Sequence, residues 1–153
     1  SLGGALATIA AFDLIKNRGI TPAGLVAFGM PRAMNDRTKK YLEKRIPFRA
    51  RVVFGTDVVT RIPSGLLGYR HFRPTVFFDR KCRVDPTPPG VILTMLRDRE
   101  PKEALRLLKR HPALPLQNLL KLVGETDLLQ MANVKGVGDH NMNNYLRCMT
   151  PQG

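Results

Sequence analysis

A chain of 153 residues with 43% hydrophobic and 24% charged residues has the balance of a folded domain, which excludes wholesale disorder, and its length suits one domain with a buried core. Its 25 Lys and Arg outnumber its 12 Asp and Glu, leaving a formal net charge of +13, a surplus that fits nucleic acid, an anionic membrane surface or plain solubility. No zinc-finger spacing, aromatic recognition run or Arg-rich arm accompanies that charge and there is no Trp, so nucleic-acid binding is not expected; nor does any apolar run approach the roughly 18 residues of a membrane-spanning helix.

The first predicted element is a helix from residue 2 to about 17, small and apolar until Asp13. Gly3-Gly4 at its beginning is odd for a freestanding helix, where glycine costs about 1 kcal/mol relative to Ala. It makes sense if the backbone packs very closely against a neighbour. Asn17-Arg18-Gly19 gives the expected ending, a glycine just past a basic last turn. Leu25-Val26-Ala27-Phe28-Gly29 is a short continuous apolar run, the pattern of a strand buried on both faces of a parallel sheet. Asn35 or Asp36 caps a second helix through Arg45. Arg49 to Phe54 is a second strand, followed by Gly55-Thr56-Asp57. A third covers Thr75-Val76-Phe77-Phe78, with Cys82-Arg83-Val84 as its continuation. Alternating helices and strands predict an α/β sheet with crossover helices.

From about residue 90 to 133 the chain becomes Leu-rich, with Leu116, Leu119, Leu120 and Val123 forming one helical stripe. This segment is read as a helical insertion, either ordinary core packing or a cap over a site. Gly136 and Gly138 are expected to break the helical run before Asp139-His140, and residues 141–149 form a last short helix. Cys82 and Cys148 lie in no Cys-x-x-Cys pair and read as ordinary thiols, one bridge between them remaining open. The spacing of His71, His111 and His140 suggests no metal site.

In α/β sheets ligands bind beyond the carboxyl ends of the strands. Asp57 sits just past the second strand, where either a turn aspartate or a catalytic carboxylate belongs. His140 follows a Gly-containing loop, and Ser1 opens a helix whose first turn is small, as a nucleophile elbow requires. Their order, Ser, Asp, His, is that of the α/β-hydrolase triad. A neutral serine hydroxyl is a poor nucleophile until an imidazole takes its proton, and a carboxylate fixes the tautomer of that imidazole. The backbone N–H of Leu2 would then be one oxyanion donor.

Four segments resemble the class 3 (fungal-type) lipases of the α/β-hydrolase superfamily. Ser1-Leu2-Gly3-Gly4-Ala5-Leu6-Ala7 looks like the second half of that family's Gly-His-Ser-Leu-Gly-Gly-Ala elbow. Phe28-Gly29-Met30-Pro31-Arg32, with Asn35 following, is similar to its Phe-Gly-x-Pro-Arg strand end. Asp57-Val58-Val59 through Ile62-Pro63 to Gly68-Tyr69-Arg70-His71 resembles its acid loop, and Asp139-His140 with Tyr145 its Asp-His-x-x-x-x-Tyr motif. The resemblance implies Ser1 as nucleophile, Asp57 as orienting acid and His140 as general base. It implies an acyl-serine intermediate, a lipid or other ester as substrate, and no cofactor. His71 matches a position outside the triad and is expected to be structural, hydrogen-bonded near the acid loop.

The resemblance is entered at the serine, without the first half of the elbow. Residues 1–153 are therefore expected to be part of a hydrolase domain, carrying 90–133 within it and inactive alone. The rival expectation is a degenerate remnant kept as a binding or structural module. An N-terminal nucleophile using the α-amine of Ser1 is disfavoured because Ser1 enters a helix rather than a strand. The +13 charge suggests a peripheral contact with anionic lipid interfaces, which vesicle binding insensitive to salt would contradict.

Overall fold

The computed structural model describes residues 1–63, 65–84 and 134–150. They contain a three-stranded, all-parallel sheet, in the order β1 (Gly24–Phe28), β2 (Phe48–Phe54), β3 (Thr75–Phe78). Val26 faces Ala50, and Val52 faces Val76. Helix α1 (Leu2–Arg18) precedes β1, and α2 (Asp36–Arg45) crosses from β1 to β2. Two short helices close the described part, α3 (Val134–Asp139) and α4 (Met142–Met149). The predicted helices and strands of the first 78 residues are all present. The predicted insertion over 90–133 lies outside the described residues.

Local chemistry explains the boundaries. Gly19 takes φ 68° and its N–H bonds the Leu14 carbonyl, ending α1. Asn35, not Asp36, caps α2: its side chain accepts the Thr38 N–H at 2.8 Å. Gly4 lies where α1 crosses the end of β1; a Cβ there would stand 2.7 Å from the Met30 Cβ and 3.1 Å from the Ala27 Cβ. The glycine that is unfavourable for an isolated helix is what lets this one approach the sheet.

Each strand sends alternate residues to opposite faces. On one face, Leu25 and Ala27 join Ala11 and Ile15 of α1, Leu42 and Ile46 around α2, and Met30, Met34 and Phe72 in the main core. On the other face, Val52, Phe54 and Phe78 pack against Tyr145 of α4, with Phe28, Val76 and Cys148 at the margin.

Three expectations need correction. β1 is not buried on both faces: Val26 is 41% exposed, because α1 and α2 cover only the Leu25 and Ala27 side, and α4 reaches β1 no further than Phe28. Gly136 and Gly138 do not interrupt helical structure before Asp139; both lie inside α3, which ends at Asp139, and the chain turns at His140, whose N–H bonds the Val137 carbonyl at 3.1 Å. Cys82 and Cys148 are not separate thiols but a disulfide with Cα atoms 4.8 Å apart, tying the turn after β3 to α4. Val84 does extend the sheet region, through an antiparallel bridge to Phe78.

Candidate active site

The carboxyl ends of β1 and β2 converge on one point. Beyond β2, Gly55 and Thr56 turn the chain so that Asp57 enters a fully buried position. Its carboxylate is surrounded by donors. Oδ1 accepts the Val59 N–H at 2.9 Å, Oδ2 accepts a short hydrogen bond from the Tyr145 hydroxyl, and both oxygens lie 3.0 Å from Nδ1 of His140. An ionised carboxylate is an acceptor only. Tyr145 Oη–H and Val59 N–H already donate to it, so the imidazole contact is satisfied when Nδ1 carries the proton. Nε2 then keeps its lone pair, which is the tautomer a general base needs.

Tyr145 is 2% exposed, with its ring against Phe28 and Phe54. Burial first, then the adjacent Asp57 charge, pushes its phenol far above the ordinary range, so the group stays a donor. Its place follows from α4, capped by the Asn141 side chain on the Asn143 N–H at 2.9 Å. Gly29, at φ 54°, completes the enclosure. A Cβ there would meet Asp57 Oδ2 at 2.9 Å and the Tyr145 hydroxyl at 3.0 Å, so the backbone after β1 can pass this close only as glycine.

Ser1 stands at the same end of the sheet. Its nitrogen donates to the Phe28 carbonyl at 2.6 Å, fixing the start of α1 beside the last residue of β1. The Ser1 hydroxyl does not cap its helix. Thus Asp57 and His140, separated by 83 positions in the chain, are in direct contact, whereas no hydrogen bond joins the Ser1 hydroxyl to His140 among the described residues. Leu2 is the first residue of α1, so its N–H is one of those a helix leaves without an intrahelical partner.

The acid loop is braced from below. Arg32, at the end of the Phe-Gly-x-Pro-Arg segment, donates to the Arg61 carbonyl in a short contact and to the Pro63 carbonyl at 2.9 Å. The Thr60 hydroxyl returns to the Asp57 carbonyl at 2.8 Å, and His71 Nε2 donates to the Thr60 carbonyl at 2.6 Å. His71 is therefore buried and bonded to the acid loop, as its position in the motif suggested. Burial, then the nearby Arg51 and Arg32 charges, holds its imidazole well below the ordinary range, and it is neutral.

Sequence reasoning noticed Tyr145 only as part of a motif and did not pair it with Asp57. It overlooked Thr56 and Arg80, which hold the Asp139 carboxylate next to His140. The one available signal was Gly55-Thr56 directly before the acid. No group of His, Cys, Asp and Glu suited to a metal ion occurs among the described residues.

A cavity of about 370 Å³ opens beside this cluster, lined by Phe28, Met142, Leu146 and Met149 with Asn143 and Tyr145. A second, of about 420 Å³, lies between α1, α2 and the turn at Leu67–Tyr69, away from the Asp57–His140 pair.

Comparison with known families and proteins agrees with the motif reading. Residues 1–66 match the family model described as lipase (class 3). A secreted mono- and diacylglycerol lipase from Fusarium solani is 39% identical over 79 residues, which is 52% of this chain and 23% of that protein. Phospholipase A1-II 5 from Oryza sativa subsp. indica is 39% identical over 90 residues, covering 53% of this chain and 19% of the relative. The chain thus spans about a fifth of the length of the curated relatives it matches.

Proposed function

We propose that this chain, whose first 66 residues match the class 3 lipase family model, has an α/β-hydrolase fold and carries the catalytic residues of a lipid ester hydrolase, with Ser1 as nucleophile, His140 as general base and Asp57 as the acid that orients the imidazole. The observation that carries the reading is the buried Asp57 carboxylate 3.0 Å from Nδ1 of His140, at the sheet end where Ser1 begins α1.

In this reading Nε2 of His140 takes the proton as Ser1 Oγ attacks the ester carbonyl. The carboxylate of Asp57 stabilises the imidazolium that results, without itself becoming protonated. The free N–H of Leu2 faces the developing oxyanion. The tetrahedral intermediate collapses to acyl-serine, the alcohol leaving with the proton from Nε2. Water, deprotonated by the same nitrogen, then releases the fatty acid. The apolar wall of Phe28, Met142, Leu146 and Met149 beside the cluster suits an acyl chain better than a charged headgroup. The printed functions of the relatives, on mono- and diacylglycerols and as a phospholipase A1, point to the same substrate class. A net charge of +13 suits peripheral contact with an anionic lipid interface. No observation favours the reading as an inactive remnant.

The test is turnover of a monoacylglycerol and a short-chain ester by the full-length protein. Ser1→Ala and His140→Asn are each expected to lower kcat by about 10⁴-fold or more. Turnover that survives Ser1→Ala would reject the assignment.

A further inference from the structure

Asp139 precedes His140 and is itself buried, 6% exposed. Its Oδ2 accepts the Thr56 N–H at 2.7 Å and the Thr56 hydroxyl at 2.9 Å, while Arg80 donates from Nη2 to Oδ2 at 2.8 Å and from Nε to Oδ1 at 3.2 Å. Thr56 in turn precedes Asp57. Two neighbouring dipeptides therefore grip each other crosswise: Asp57 holds the side chain of His140, and Thr56 holds the side chain of Asp139. Gly55 makes room for this, since at φ 51° a Cβ would stand 2.9 Å from the Asp139 Cγ.

We propose that Asp139 is a positioning residue, whose carboxylate, clamped by Thr56 and Arg80, fixes the segment that presents His140 to Asp57. The inference rests on the hydrolase reading for its catalytic consequence, but not for its geometry. Helix α3 is only six residues long and cannot hold His140 in place by its own stability. An exposed ion pair would contribute little. Here, however, the carboxylate is buried and meets four donor contacts from two segments, so its removal breaks all four ties at once and releases the residue directly before His140. Asp139→Asn keeps the shape and can keep an acceptor oxygen toward Thr56, but it removes the charge that pairs with Arg80 and turns an amide NH₂ toward the Arg80 Nε–H. The imidazole then loses its fixed approach to Asp57, and misplacement by about 1 Å is enough to cost on the order of 100-fold in rate.

The experiment uses the full-length protein and two readouts. One is the low-field proton resonance of His140 Nδ1–H, assigned by its loss in His140→Asn; the other is kcat and KM on a short-chain ester. Asp139→Asn is expected to shift or abolish the resonance and to lower kcat by about 10- to 100-fold with KM within about twofold. Arg80→Gln is expected to do the same more weakly, and Arg80→Lys to recover part of the loss. An unchanged resonance and kcat in Asp139→Asn, with only a lower melting temperature, would overturn the proposal and leave Asp139 a merely structural residue. If Asp139→Asn does not fold, Arg80→Gln decides, because Arg80 is half exposed; an unmoved resonance and kcat in that variant overturn the proposal equally. Hydrolysis absent from the wild type, or surviving Ser1→Ala, would instead strike the hydrolase reading, and the resonance would still decide the clamp.

Discussion

Asp57 is a carboxylate with no access to solvent, and its charge is tolerable only because three donors converge on it. Removing one donor tests how far that environment matters. Tyr145→Phe keeps the packing against Phe28 and Phe54 but deletes the hydroxyl. It is expected to cost about 1–3 kcal/mol in urea unfolding and to slow turnover less than loss of Asp57 itself. His71 supplies a pH test nearby. Its imidazole stays neutral in the folded protein, whereas in the unfolded chain it titrates near its ordinary value. The unfolded state therefore binds more protons below about pH 6.5, so the contribution of His71 is fully present above that pH and is lost as pH falls. Unfolding free energy measured from pH 7.5 to 5 should decline, and the slope should shrink in His71→Gln. An identical slope in the variant would contradict this account of His71.

At the scale of elements, the decisive unit is α4. It delivers Tyr145 to the acid, lines the apolar cavity, and is tied by Cys148 to Cys82 after β3. The bridge spans 66 positions, a loop whose closure in the unfolded chain is worth about 4 kcal/mol in the chain-entropy account. Reduction under native conditions, or Cys148→Ser, is predicted to lower the melting temperature and to weaken turnover, because α4 loses an anchor near Tyr145. Equal melting with and without reductant would show that the bridge does not constrain the fold. Only the possibility of this bridge was legible in the sequence: two cysteines allow a single pairing, but nothing in their spacing says that the two segments meet. The strands and helices were legible, because short apolar runs bounded by Gly and Pro, an Asn before α2 and a Gly after α1 each act locally. The face of β1 left open at Val26 was misread, since an apolar run reports what a strand could bury and not which neighbours cover it.

For the whole molecule, three motifs far apart in the chain meet at the carboxyl end of a small parallel sheet. Arg32 after β1 braces the acid loop, Asp57 after β2 is enclosed, and α3 and α4 return with His140 and Tyr145. Of this site, the meeting of Asp57 with His140 could be expected from motif order, while the triad roles of Ser1, Asp57 and His140 belong to the proposal. The supporting contacts of Tyr145, Arg80 and Asp139 could not, because they join segments 88 and 59 positions apart through side chains that many local sequences would allow. The central claim is that Ser1, His140 and Asp57 act as one unit, and the most direct measurement is covalent trapping of the full-length protein by a long-chain alkyl phosphonate ester, read by intact mass and peptide mapping. We predict one adduct, on Ser1, absent in Ser1→Ala and formed orders of magnitude more slowly in Asp57→Asn and His140→Asn. Labelling of a different residue, or labelling of Ser1 at an undiminished rate in the Asp57 and His140 variants, would contradict the account.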